Sequence, residues 1–451
     1  MSRSRPSFLP LLVAVCLAMP RAARPSAEGV PSGAESAAAD STALAPTSSA
    51  PWNPPRGMAA HEPWEQVIDA PLTVVSLPIR AAAALTRAGL LRIEQDNLIA
   101  RVQVILVAAP TIGVGVRPAS LGDRTGLGAA LDLEPPWAHG RLRAGLDGST
   151  LGYNRGRVEL GPRRLFVGYL YDWRPQQPFF GLGADSRSGD ASNYAVQSQS
   201  LQLNGRWATT GRVRHELGAW IGERQSVLRR GHDDQRPSFE TTFPQLVAGQ
   251  LDITQRHAVA GARAAVDTRA GHPHWSHGWR LAAQAENFGH ATSDHGLVFT
   301  GADDSPSFRR FTLEAQAGWS FMRDPRTLRF GVRVVDIEPR DRDHPPALFD
   351  LSRLGGGAGL PGFEPGRFHG LDLVVARFGY CFPLAEFAEL ELSTEAGTVT
   401  DDVWRQPRLD HLEHSYSVMF RPRTKLAPLG AVGVSWSRET TRLVFSLGGV
   451  E

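Results

Sequence analysis

The chain has 451 residues, enough for one large or two ordinary domains. Its formal net charge is +2, so no charge imbalance points to a nucleic-acid partner. It holds two cysteines, Cys16 and Cys381. Cys16 lies in a segment expected to be removed, which leaves Cys381 alone and excludes a framework of internal disulfides.

Residues 1–23 read as a secretory signal peptide. Arg3 and Arg5 form a basic start, Phe8 to Met19 a short apolar core, and the small residues Ala22, Ala23 and Ala27 follow. That core is too short to cross a bilayer stably, and Val15 before Cys16 argues against lipid attachment there. Residues 24–60, rich in Ala, Ser, Pro and Gly, read as a disordered linker too poor in large apolar side chains to form a core. Residues 61–101 read as a partly helical periplasmic or barrel-plugging segment, broken by Pro71 and Pro78. No second stretch qualifies as a membrane helix. The best candidate, Leu98 to Val116, is interrupted by Arg101, Gln103 and Pro110.

From about residue 102 to 451 the period changes to two. Phe311, Leu313, Ala315, Ala317, Trp319 and Phe321 oppose Thr312, Glu314, Gln316, Gly318 and Ser320. The same alternation runs through 213–221, 279–286, 328–334, 432–437 and 443–448. Many runs reach about 9–12 residues, the length a tilted strand needs to span a bilayer and longer than the usual strand of a soluble sandwich. Trp173, Trp207, Trp220, Trp319 and Trp436 lie in or near these runs, as interfacial girdles would, although Trp220 falls on a polar row. Short turns (323–325, 437–440) alternate with long polar loops (174–193, 223–245, 338–368). The pattern predicts an all-β protein, a sixteen-stranded antiparallel transmembrane β-barrel. Eleven strands (104–117, 124–133, 138–147, 150–160, 164–174, 195–207, 211–224, 256–268, 276–290, 307–321, 326–338) precede one unusual loop. Five (369–382, 386–397, 412–421, 428–437, 440–450) follow it.

That loop is Leu354 to Phe368, LGGGAGLPGFEPGRF, with six glycines and two prolines in fifteen residues. Glycine fits where side chains cannot, so the composition admits either a surface loop or a segment in close contact with another backbone.

These residues make the chain similar to the barrel domain of the BamA/TamA superfamily (bacterial surface antigen type) of outer-membrane assembly barrels. Family members carry an LGG…(Val/Leu)-Arg-Gly-(Phe/Tyr)…G-R-F loop followed by five strands. Here Leu354-Gly355-Gly356, Leu360-Pro361-Gly362-Phe363 and Gly366-Arg367-Phe368 stand in those places. Thr394 to Val399, with Glu395 and Gly397, resembles a family strand, Phe179-Phe180-Gly181-Leu182-Gly183 a loop entry, and Asp267-Thr268-Arg269 with Gly278 a hairpin. The resemblance spans about residues 64–451. It implies a loop that folds into the lumen, where the motif arginine pairs with a wall carboxylate matched by Glu395. It also implies first and last strands that pair weakly, with outer-membrane lipid, client polypeptides or a periplasmic partner chain as partners. Such a pair in a confined lumen is bidentate and little screened.

The chain departs from the pattern at three places. Pro361 occupies the motif arginine position, so either Arg367 takes over the pairing, or the loop is held differently, or the function served by that lock is lost. Only about 40 structured residues are expected before the first strand, too few for POTRA modules. The end, Gly448-Gly449-Val450-Glu451, lacks the usual terminal aromatic. The expected function is insertion or translocation of polypeptide at the outer membrane; the alternative is a passive pore or structural barrel that has lost assembly activity.

No catalytic residue, cofactor site or metal site is expected. There is no G-x-S-x-G elbow and no H-E-x-x-H pair. His272, His274 and His277 read as a solvated loop, and Asp233-Asp234, Asp303-Asp304 and Asp401-Asp402 as solvated turns or strand ends. Ser320 and His215 fall on rows of opposite character, far apart in strand order. Arg212, Arg214, Glu286, Glu314, Arg329 and Arg333 read as lumen-facing channel or plug-packing charges.

Overall fold

The computed structural model describes residues 113–447, apart from 120–124, 127, 234, 248–249, 270–276, 291–304, 322–325, 342–343, 386–387, 407–408 and 423–429. The signal peptide, the linker, the 61–101 segment, His272, His274 and the terminal Gly448-Gly449-Val450-Glu451 lie outside the described residues.

The first eleven strands are β1 (Val114–Ala119), β2 (Gly128–Leu133), β3 (Leu142–Ser149), β4 (Asn154–Leu160), β5 (Leu165–Phe179), β6 (Ser192–Ala208), β7 (Arg214–Arg230), β8 (Thr254–Asp267), β9 (Gly278–His290), β10 (Phe308–Phe321) and β11 (Arg326–Pro339). The loop carries two short strands, β12 (Ser352–Leu354) and β13 (Phe368–Gly370). The last five are β14 (Asp372–Ala385), β15 (Ala388–Thr400), β16 (Glu413–Pro422), β17 (Gly430–Ser437) and β18 (Thr441–Leu447). All except β12 and β13 form one sixteen-stranded sheet in chain order, β1 to β11 and then β14 to β18, and every pairing in it is antiparallel. This is the sixteen-stranded antiparallel barrel that the alternation predicts.

The two faces are inverted relative to a water-soluble sheet. Outward side chains are apolar and open: Ile221 is 62% exposed, Val332 45%, Leu443 60% and Phe445 61%. Inward side chains are polar and buried, among them Arg329, Glu391, Glu395, Ser415, Ser417 and Ser435. A sheet with this polarity suits hydrocarbon outside and a polar interior, and its strands satisfy one another's backbone groups without water. β5, β6 and β7 run 15, 17 and 17 residues, more than a span requires. Their surplus lies at one end, where the outer row turns polar: Glu223 and Arg256, both outward, form an ion pair there.

Connections 180–191, 231–253, 340–371 and 401–412 leave from that end, and shorter ones such as 161–164 and 209–213 from the other. Strand parity corrects one expectation. The short turn 438–440 falls on the long-loop side, which brings it beside the glycine-rich loop. Trp220 is also resolved: it points inward, over Gly261, and packs against the lumen core rather than the bilayer.

Towards the long-loop end the inner rows change from charged to apolar. On β11, Arg329 and Arg333 give way to Val335 and Ile337; on β14 and β15, Leu373, Val375 and Val399 line the wall. Together with Val259, Phe288 and Phe308 they form a core with loop residues Leu354, Leu360, Phe363 and Phe368. The interior therefore has its own hydrophobic core, with eight residues from the wall and four from the loop.

An arginine in place of outward Val332, near the middle of β11, should cost about 2–4 kcal/mol if that site lies at the bilayer midplane. Reversible denaturant unfolding in liposomes would measure it, and a cost near zero would contradict the membrane-facing assignment of this row.

Candidate functional site: the lumen loop

The connection 340–371 enters the barrel and returns. β12 pairs with β13, Leu354 opposite Phe368, so the two arms are zipped together at the neck. Between them the chain makes a tight turn in which Gly355 N–H donates to Gly359 O (2.9 Å) and Gly356 N–H to Leu360 O (3.2 Å). Gly355 has φ +115°, and a Cβ there would lie 2.2 Å from Glu364 O. Only glycine tolerates both conditions. Gly366 N–H reaches back to Gly355 O (3.4 Å) and closes the tip upon itself.

The tip is fastened to the wall by its backbone. Leu360 N–H donates to Glu395 Oε2 at 2.7 Å, and Leu360 sits at φ +60°, an uncommon conformation for a leucine that aims its amide at the wall. Gly362 N–H donates to Ser415 Oγ (2.7 Å), and Ser437 Oγ–H donates to Gly362 O (3.0 Å). Arg442 of β18 donates to the carbonyls of Pro361 (3.1 Å) and Phe363. A Cβ on Gly362 would stand 2.4 Å from the carbonyl carbon and oxygen of Trp436, so this glycine is fixed by close approach to β17. Phe363 and Phe368 pack ring to ring at 5.3 Å in the core beneath. Gly397, next to Glu395 on the same inner row, lets β14 approach: a Cβ there would lie 2.8 Å from Val374 O.

Of the two ways of holding the loop that Pro361 leaves open, the structure shows a loop held differently, not an Arg367–Glu395 pair. Glu395 is buried and meets the Leu360 amide, with Arg377 of the wall 3.5 Å away. Arg367 does not reach Glu395. Instead its guanidinium makes a two-pronged pair with Glu439 in the 438–440 turn, at 2.8 and 2.9 Å. It also donates to Ser186 Oγ (2.7 Å) and Ser186 O (2.6 Å), and lies over the rings of Phe180 (5.1 Å) and Phe368 (4.7 Å). Arg367 is thus a buried clasp between loop, β5–β6 connection and final hairpin, rather than a solvated loop residue.

Two motifs far apart in the chain meet here, Phe179 and His369 being separated by 190 residues (369 − 179). Phe179 packs edge-on against His369 (5.0 Å), Phe180 lies under Arg367, and Gly183 N–H donates to His369 O (2.7 Å). The Asp267-Thr268-Arg269 hairpin does not join them. Asp267 pairs with Arg269 (2.9 Å) at the opposite end of the barrel. Ser320 bonds Thr327 (3.2 Å), and exposed His215 belongs to the outer row of β7. Below the tip lies a cavity of about 1260 Å³, lined by Arg214, Arg263, Glu314, Arg333 and Glu395, with Gly357–Gly359 at its upper edge.

Sequence reasoning missed His369, which follows the G-R-F triplet. It is fully buried, neither ring nitrogen has a hydrogen-bond partner, and Arg353 lies nearby. Burial, reinforced by the Arg353 charge, pushes its pKa down to about 3. The undocked loop would titrate near the ordinary value of 6.5. A base with a depressed folded pKa stabilises the docked state fully above the higher value and loses that stability as pH falls below it.

Protease protection of the loop should therefore decline between about pH 6.5 and 3, by at most about 1.4 kcal/mol per pH unit. His369→Phe should flatten that profile; an unchanged slope would exclude His369 as its source. Glu395→Ala leaves the Leu360 amide buried without an acceptor and should cost about 1–3 kcal/mol of loop docking, read as faster proteolysis within 340–371. Glu395→Gln, which keeps an acceptor oxygen, should restore most of it.

No protein-family model matches the chain, and no curated protein matches it. Among solved structures, it is similar to the crystal structure of BamA from Haemophilus ducreyi lacking POTRA domains 1–3. Identity is 12%, covering 74% of this chain and 69% of that one, with a TM-score of 0.46. It is similar to CdiB from Escherichia coli at 13% identity, covering 74% of this chain and 61% of that one, with a TM-score of 0.46. For CdiB from Acinetobacter baumannii the values are 11%, 74%, 62% and 0.41. The chain thus spans about three-fifths of the length of either CdiB. BamA, whose superfamily the loop motifs resemble, is among the solved barrels to which this chain is similar.

Proposed function

We propose that this chain is an outer-membrane barrel of the BamA/TamA type, without enzymatic activity, that inserts or translocates polypeptide, with its lumen loop acting as a latch on the C-terminal strands. One observation carries the reading. The loop tip is bonded to β15 through Glu395, to β16 through Ser415, to the β17–β18 turn through Glu439 and to β18 through Arg442. β1 and β18 stand at the two ends of the sheet order. An end strand that separates from its neighbour exposes unpaired N–H and C=O groups, a template for an incoming strand. Moving β18 away from the lumen breaks the Arg442 contacts, so loop position and strand position are coupled. Client polypeptides and a periplasmic partner chain are the partners this reading implies, with outer-membrane lipid as the surrounding solvent.

One observation favours the second reading, a passive pore or structural barrel. With Pro361 in place of the motif arginine, the loop offers Glu395 a single backbone amide, so a two-pronged ion pair between loop and wall is replaced by one hydrogen bond from a neutral donor.

A cysteine pair joining β1 to β18, in a Cys381→Ser background, separates the two. Oxidation should abolish insertion of an unfolded outer-membrane barrel chain into liposomes that carry the protein, and reduction should restore it. No insertion above that of protein-free liposomes in either redox state, with conductance unchanged, would establish the passive barrel; insertion that continues in the oxidised state would exclude opening between β1 and β18 as its route.

A further inference from the structure

Between the inner faces of β5, β6, β7 and β10 and the ascending arm of the loop lies a second cavity, of about 260 Å³. Arg174, Arg224, Arg310 and Arg353 line it, with Asp172 and Asp350 as its acids and Ser198 and Ser226 on its wall. Its pairs are unequal. Asp350 takes both oxygens to Arg224 (2.6 and 2.8 Å), while its backbone carbonyl accepts from Arg310 (2.6 Å). Asp172 serves Arg174 at 2.7 Å with Arg155 at 3.7 Å, Glu286 is 3.8 Å from Arg310, and Arg353 donates to neutral Gln177 (2.6 Å). Arg155, Arg174, Arg224, Arg310 and Arg353 thus face Asp172, Asp350 and Glu286: five positive charges against three negative, an excess of two. Arg224 Nε is also buried without an acceptor.

Two surplus guanidinium charges in a confined polar space, with one donor unspent, are complementary to a doubly charged oxyanion. A water molecule occupies roughly 30 Å³ in the liquid, so this space admits a tetrahedral oxyanion with part of its hydration shell. The wall strands separate the cavity from the apolar outer rows, which favours a solute over a lipid headgroup.

We propose that this cavity binds a phosphate-sized oxyanion, and that the anion ties the loop arm, through Arg353 and the Asp350 segment, to the wall arginines Arg174, Arg224 and Arg310. The proposal stands independently of whether the barrel handles polypeptide.

The test uses the full chain in a maltoside detergent, titrated with inorganic phosphate by calorimetry. Protease protection of 340–371 is followed in parallel, against chloride at matched ionic strength. Saturable binding and increased protection are expected. Arg224→Gln should lose both, but it also removes a partner of Asp350 and can loosen the loop by itself. Arg174→Gln avoids this, because the acid partner of Arg174 is Asp172 of the wall. It should bind phosphate about tenfold more weakly, the loss of one charge-assisted contact, with protection in chloride unchanged. Arg214→Gln, in the lower cavity, should bind as the parent does. Absence of saturable binding, undiminished binding by Arg174→Gln, or an equal loss in Arg214→Gln would each overturn the proposal.

Discussion

A sheet whose outer side chains meet hydrocarbon must place its charges inside, and inside they must find partners. This constraint organises the molecule. Glu391, almost fully buried, is held by Arg377 (2.6 Å), Arg329 (2.9 Å) and Arg421 (3.0 Å), and Arg329 reaches Glu389 as well (3.3 Å). Cys381 sits against the same carboxylate, so the lone cysteine of the barrel is buried in a charged network rather than available for a disulfide. These charges come from four adjacent strands, β11, β14, β15 and β16. Each is costly to bury alone and is tolerated because the curved sheet brings opposite signs together.

The loop extends the same logic to the upper half of the lumen. There the inner rows are apolar, and an empty lumen would expose Val335, Ile337, Leu373, Val375 and Val399 to water. The loop covers them with Leu354, Leu360, Phe363 and Phe368. Its backbone polar groups are then spent on the wall: Leu360 on Glu395, Gly362 on Ser415 and Ser437, Pro361 and Phe363 on Arg442. Pro361 fits this scheme because its carbonyl is used and no amide is required of it. The glycines at 355 and 362 are the places where two backbones come closer than a side chain would permit.

Much of the fold was legible in the residues. Period-two alternation gave the number of strands in the sheet and placed most of them, because one face meets lipid and the other a polar lumen, and such a difference recurs at every second position. The first, expected at 104–117, coincides with β1 only over 114–117, and 104–112 lie outside the described residues. The loop could be identified by its glycines and by its place after the eleventh strand. One signal was present and unread. Alternation fails at Val334-Val335 and at Leu373-Val374-Val375, where both rows become apolar. That failure marks the height at which the lumen stops being polar and the loop docks.

The sequence by itself determined the strand number, the inward and outward rows and the position of the loop, since these depend only on local periodicity and spacing; the candidacy of Glu395 was implied by the family resemblance. Only the tertiary structure decided who holds whom. Arg367 pairs with Glu439 and Ser186, and Glu395 with the Leu360 amide; neither follows from spacing. His369 became notable only when Phe179, brought from 190 residues away, closed over it. Partners across a lumen are chosen by the curvature of the sheet and the depth to which the loop descends. Both are properties of the folded sheet as a whole, and no segment of the chain encodes them alone.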